Sequence, residues 1–165
     1  MDKKVLTEAM KVSISEVLER MFFMPMEFAA PEQAGEDPLS DPETIIAKLE
    51  FSGLACGTFF LLIPASLAKS VTADFLGVTS QDQVLKLVAG TVLEMVNMLA
   101  GSTLSTYDHQ ALFDLQIPEL ITAKELHALT EGIADQVAIR IQTPISQMAF
   151  QVVLEQEAGV AGDGG

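Results

Sequence analysis

The stretch from Asp82 to Ser105, DQVLKLVAGTVLEMVNMLAGSTLS, constrains the fold more than any other part of the chain. It predicts a helix of roughly six or seven turns. Val84, Val88, Val92, Met95, Val96 and Leu99 are among the residues that make most of its circumference apolar, so it must pack against other elements. The exceptions are Lys86, Gly90, Glu94, Asn97 and Gly101, spaced by 4, 4, 3 and 4 residues. That spacing puts all five on one helical face. Each glycine inside a helix costs about 0.8–1 kcal/mol relative to alanine. The pair is understandable if another backbone or side chain approaches closely there. The plainer alternative is the solvated side of an amphipathic helix, and spacing alone leaves both open.

At 165 residues the chain suits one domain with a substantial core. Its 49% hydrophobic and 19% charged residues are a globular composition. With 23 acidic against 9 basic residues the formal charge is -14. Such a chain repels phosphate backbones and anionic lipid, so neither nucleic acid nor a membrane surface is expected as a partner. The single cysteine, Cys56, excludes an intramolecular disulfide framework and is expected as a small buried hydrophobe in a reducing compartment. His109 and His127 have no metal-ligand spacing with each other or with Cys56. Charges run through the N-terminal MDKKVLTEAMKVSISEVLER, unlike a signal peptide. The apolar run Leu54 to Ala65 is broken by Gly57 and Pro64 and is too short to span a bilayer. A cytoplasmic protein is expected.

Taken in order, residues 5–24 predict a first helix that ends near Pro25, followed by a Met- and Phe-rich cluster from Met21 to Phe28. Residues 27–43 read as an exposed acidic, proline-rich loop. Ile45 to Ser52 alternates as a half-buried strand, and Gly57 to Ile63 is a central strand paired with it in a hairpin. Pro64 opens a short helix to Leu76 that Gly77 terminates, and Thr79 or Ser80 caps the long helix. Phe113 to Ile117 is a further strand, followed by Pro118 and a segment containing Ala123 to Leu129 whose type the pattern leaves open. Two alternating strands, around 137–142 and 148–154, close the domain about a Thr143-Pro144 turn. Residues 157–165 are expected to be a disordered tail beyond a single domain over 1–156. Without βαβ alternation the fold class is α+β, long helices packed on an antiparallel sheet.

An internal echo aligns Ser13–Phe23 with Thr91–Gly101, matching Glu16 to Glu94. The domain therefore reads as two pseudo-symmetric halves. Asn97 is matched by Glu19 and Gly101 by Phe23, so chemistry that needs the amide exists once.

The segment Glu94-Met-Val-Asn97-Met-Leu-Ala-Gly101 resembles the E-x-x-N-x-x-x-G signature of the CheC/CheX/FliY family, phosphatases of the phosphorylated chemotaxis regulator CheY. The resemblance extends over roughly residues 5–155. With Glu19 where a second asparagine would stand, the chain is most similar to the one-site, CheX-like type. Those members are dimers, which the resemblance implies here. The family often carries Asp or Ser four residues before the motif glutamate, where this chain has Gly90.

The implied chemistry has its own logic. Hydrolysis of an aspartyl phosphate needs water in line with the departing carboxylate, while the receiver holds the phosphoryl oxygens with Mg²⁺ and a lysine. The outside protein then needs no cofactor of its own and adds a positioned water. A carboxamide does this without ionising. The resemblance thus makes Glu94 and Asn97 the catalytic pair, with Glu94 docking the receiver lysine. Lys86, Gly90 and Gly101 become the partner-binding positions. The alternative is a non-catalytic receiver-binding or flagellar-switch adaptor of the same fold.

Overall fold

In the computed structural model, which describes residues 1–30 and 37–155, the chain runs α1 (Lys3–Glu16), β1 (Glu27–Phe28), β2 (Ile45–Gly53), β3 (Gly57–Ile63), α2 (Ala65–Leu76), α3 (Gln81–Tyr107), β4 (Phe113–Leu115), β5 (Glu119–Ile121), α4 (Ala123–Thr130), β6 (Gln136–Gln142) and β7 (Gln147–Leu154). All strand pairs are antiparallel, in the order β1-β6-β7-β3-β2-β4, with β5 also on β2. This is the expected α+β class.

The strand order reads alike from either end. Two hairpins, β2–β3 and β6–β7, meet where β3 pairs with β7, and a short strand lies outside each. The short strand of each half pairs with the hairpin of the other, β1 with β6 and β4 with β2. Helices α1 and α3 open the two halves and lie against one another, bridged by a hydrogen bond from Ser102 Oγ to Ser13 Oγ of 3.1 Å.

One face of the sheet carries the main core. Ala47, Leu49 and Phe51 of β2 and Phe59, Leu61 and Ile63 of β3 pack under the buried sides of α1, α2 and α3. Phe59 stacks on Phe150 with ring centroids 5.2 Å apart. The other face holds a smaller cluster, in which Ile46, Phe60, Leu62 and Val153 lie under Leu126 of α4. Burial on both faces is why β3 reads as a continuous apolar run. It also corrects the half-buried reading of β2: Ile46 is buried on the face opposite Ala47, Leu49 and Phe51.

Gly77 terminates α2 in the left-handed conformation at φ +65°, as expected of a helix C-terminus. Ser80 stands at the N-cap of α3, but its side chain makes no capping bond. The first helix departs from expectation. It stops being α-helical at Glu16 and widens into a π turn over Val17–Met21. Phe23 then takes φ +54°. The Met/Phe cluster splits accordingly, with Phe22 and Met24 buried and Met21, Phe23 and Phe28 exposed.

The acidic 27–43 segment contains strand β1 and a 3-10 turn over Pro38–Ser40, so it is not wholly irregular; residues 31–36 lie outside the described residues. The strand expected to reach Ile117 ends at Leu115, and β5 beyond Pro118 went unanticipated. The 123–129 segment is the helix α4. Cys56 is exposed, not buried, because it sits in the β2–β3 turn, where its carbonyl accepts from the Glu155 amide at 3.0 Å. The tail 157–165 lies outside the described residues.

Helix α3 is long and apolar enough to cross a membrane by length and composition. Here its apolar side is the inner surface of a helical layer: Val92, Met95, Val96, Leu99, Ala100 and Leu104 belong to the main core.

Candidate functional site

Helix α3 has 27 residues, about 40 Å of axis. Its buried residues Val92, Met95, Val96, Leu99, Ala100, Thr103 and Leu104 occupy the side toward α1 and the sheet. The remaining side carries Lys86, Gly90, Glu94, Asn97 and Gly101, all exposed or half-buried. The five predicted positions therefore share one outward face, spread over about 22 Å. Helix packing fixes their relative positions, since half-buried Leu93 and Met98, on either side of the Glu94–Asn97 pair, pack against the core.

Among the described residues, Lys86, Glu94 and Asn97 form no side-chain hydrogen bond or ion pair. The Asn97 side chain is thus half-buried and without a partner. It keeps both donors and both acceptor lone pairs available to an incoming group. The equivalent position in the first half differs. Glu19 lies on the π turn, and its carboxylate accepts from Ser15 Oγ at 3.1 Å.

The glycines are not demanded by the chain's own packing. A Cβ at Gly90 would meet nothing within 4 Å, and one at Gly101 only Leu115 Cδ1 at 3.7 Å, an ordinary contact. Both stand in a regular helix where alanine is favoured by about 1 kcal/mol. The space they leave is therefore on the outside, above the stripe.

Beside Gly101 that space deepens into a cleft of about 210 Å³, lined in part by Ser105, Asp108, His109, Leu112 and Leu115. Asp108 shapes its end by accepting from the amides of Gln110 and Ala111 at 3.0 and 3.2 Å. Sequence reasoning passed over this cleft. The alternation of Phe113 and Leu115 showed a strand, but not that β2 would hold it alongside α3. No group of metal-ligating side chains occurs among the described residues.

Residues 45–142 match the family described as chemotaxis phosphatase CheX, a span that contains the whole stripe and the cleft. The chain belongs to the CheX family. No curated protein matches the sequence. Among solved structures, it is similar to a chain of the CheX–CheY–BeF3–Mg complex of Borrelia burgdorferi, at 16% identity and TM-score 0.71, covering 92% of this chain and 98% of that one. A CheX from Desulfovibrio desulfuricans aligns at 17% identity and TM-score 0.68, covering 91% and 99%. FliY of Thermotoga maritima aligns at 12% identity and TM-score 0.60, covering 93% and 91%. At these identities the likeness shows the shared fold, and the family assignment rests on the 45–142 match.

Proposed function

We propose that this CheX-family chain hydrolyses the aspartyl phosphate of a CheY-type receiver in the cytoplasm, with α3 docked over the receiver's phosphorylation site. The observation that carries this reading is the unpartnered Asn97 carboxamide, held on a rigid helix between two glycines that no internal contact requires.

In the proposed complex, Gly90 and Gly101 admit the receiver's loops. Glu94, one turn from Asn97, pairs with the receiver lysine and sets the docking angle, and Lys86 lies at the far end of the interface. Asn97 accepts a hydrogen bond from a water and holds it in line with the scissile P–O bond. The receiver's own Mg²⁺ and lysine neutralise the phosphoryl oxygens. Water attacks phosphorus, the aspartate carboxylate leaves, and inorganic phosphate is released. Asn97 stays neutral throughout, so its task is position rather than proton transfer. Glu19, already hydrogen-bonded to Ser15 and without an amide, does not repeat that role in the first half. The family resemblance adds a homodimer to this reading.

The test is the dephosphorylation rate of a phosphorylated CheY-type receiver with the wild type and with Asn97→Ala. Loss of one preorganised group should lower the rate by roughly 10²-fold or more while binding persists. Equal inertness of both proteins, with binding retained, would make the chain a receiver-binding adaptor instead.

A further inference from the structure

We propose that the cleft beside Gly101 is the specificity pocket of the site: it receives an apolar side chain that the receiver presents next to its phosphorylated aspartate, and Leu112 and Leu115 recognise that side chain. The inference rests on the reading of α3 as the receiver-docking helix.

Position comes first. Gly101 lies one turn, about 6 Å, beyond Asn97 along the same face. A receiver that brings its phosphoryl group to Asn97 must also cover Gly101 and the cleft that opens there. A Cβ at 101 would fit without displacing Leu115 and would take up space at the cleft, in contact with Leu115 Cδ1 at 3.7 Å. What the glycine keeps is room for something from outside.

The walls have the matching chemistry. Leu112 is 90% exposed and Leu115 36% exposed. Leu112 and Leu115 thus give the cleft apolar walls beside the polar stripe. Leu112 does not sit on a loose loop. Its carbonyl is pressed against Gly53, where any Cβ would collide with it, and Gly53 pairs with Phe113 at φ +130°. The Asp108 side chain ties the turn from the other end. Phe113 turns inward against Phe51, with ring centroids 6.1 Å apart, which anchors β4 to the core. The apolar wall is thus held rigidly, and a preorganised wall loses little entropy on binding.

A second copy of the chain is the rival occupant. Seated here it would cover the cleft and block a receiver docked over Asn97 one turn away, so the homodimer of the proposed function uses another face.

The experiment uses the full chain and a CheY-type receiver from the same genome, phosphorylated for turnover and activated with beryllofluoride and Mg²⁺ for binding. The variants are Leu112→Ser, Leu112→Ser with Leu115→Ala, and Asn97→Ala. Since Leu112 is solvent-exposed, Leu112→Ser keeps the fold. The double variant should raise KM and the receiver Kd about tenfold with kcat retained, whereas Asn97→Ala should lower kcat and leave Kd unchanged. Unchanged KM and Kd in the leucine variants, alongside a slow Asn97→Ala, would overturn the pocket and leave the phosphatase reading standing. Raised Kd with a wild type that turns nothing over would keep the pocket and sink the catalytic reading. A wild type that does not bind the receiver overturns both. If light scattering shows that the leucine variants lose a dimer while KM is unaltered, the occupant is a second copy and the proposal fails.

Discussion

Ser102, one residue past Gly101 on α3, donates its hydroxyl to the fully buried Ser13 of α1 across 3.1 Å. This is a polar clasp between the helices that open the two halves of the fold. A neutral hydrogen bond of this kind contributes about 1 kcal/mol, and removing one partner strands the other. Ser102→Ala should therefore destabilise the protein by about 1 kcal/mol, and Ser13→Ala,Ser102→Ala by less than the sum of the single changes. Chemical denaturation of the three variants checks this. Strict additivity would show that the hydroxyls are not coupled.

The glycines of the stripe should behave unlike ordinary helix glycines. Gly90→Ala meets open space and Gly101→Ala an ordinary contact, so each should raise stability by about 0.8–1 kcal/mol. On the proposed function the same changes should slow receiver dephosphorylation, because the gap is where the partner enters. A more stable and fully active Gly90→Ala,Gly101→Ala protein would remove the argument from close approach.

Lys48 fastens β5 to β2. Its ammonium lies 2.8 Å from Glu119 Oε1 and 3.5 Å from Glu50 Oε1. The hydrogen bond to Glu119 is the main cause that lifts its pKa above 10.5, with partial burial opposing and the charge of Glu50 assisting. A raised folded-state pKa means that this contribution is complete below the ordinary lysine value and fades as pH climbs through the folded value. Glu119→Gln should cost about 0.5–1 kcal/mol at neutral pH. It should also flatten the stability decline of the wild type above pH 10.5. Denaturation midpoints at neutral and alkaline pH make the comparison.

The sequence carried the helical stripe because helical periodicity is local: five residues spaced by 4, 4, 3 and 4 share a face wherever the helix docks. The hairpins were legible for the same reason, through period-two alternation and the Thr143-Pro144 turn. Long-range choices were not. Cys56 has the chemistry of a core residue, yet the turn connecting β2 to β3 places it outside. Glu119–Ile121 has too few residues to declare itself a strand and becomes one by pairing with Ile46–Lys48. The π turn at Val17–Met21 is invisible to a reading that assumes 3.6 residues per turn. Leu112 and Leu115 joined the candidate site only once β2 had laid β4 next to Gly101.

Because β1 completes the hairpin of the second half and β4 that of the first, the two repeats are laced together like clasped hands. Neither repeat could be excised and still own a finished sheet, so melting should occur as a single event. The outward faces of α1 and α3 carry no such mutual obligation. The first-half positions matched to Asn97 and Gly101, Glu19 on the π turn and Phe23 just beyond it, differ from them without breaking that lacing.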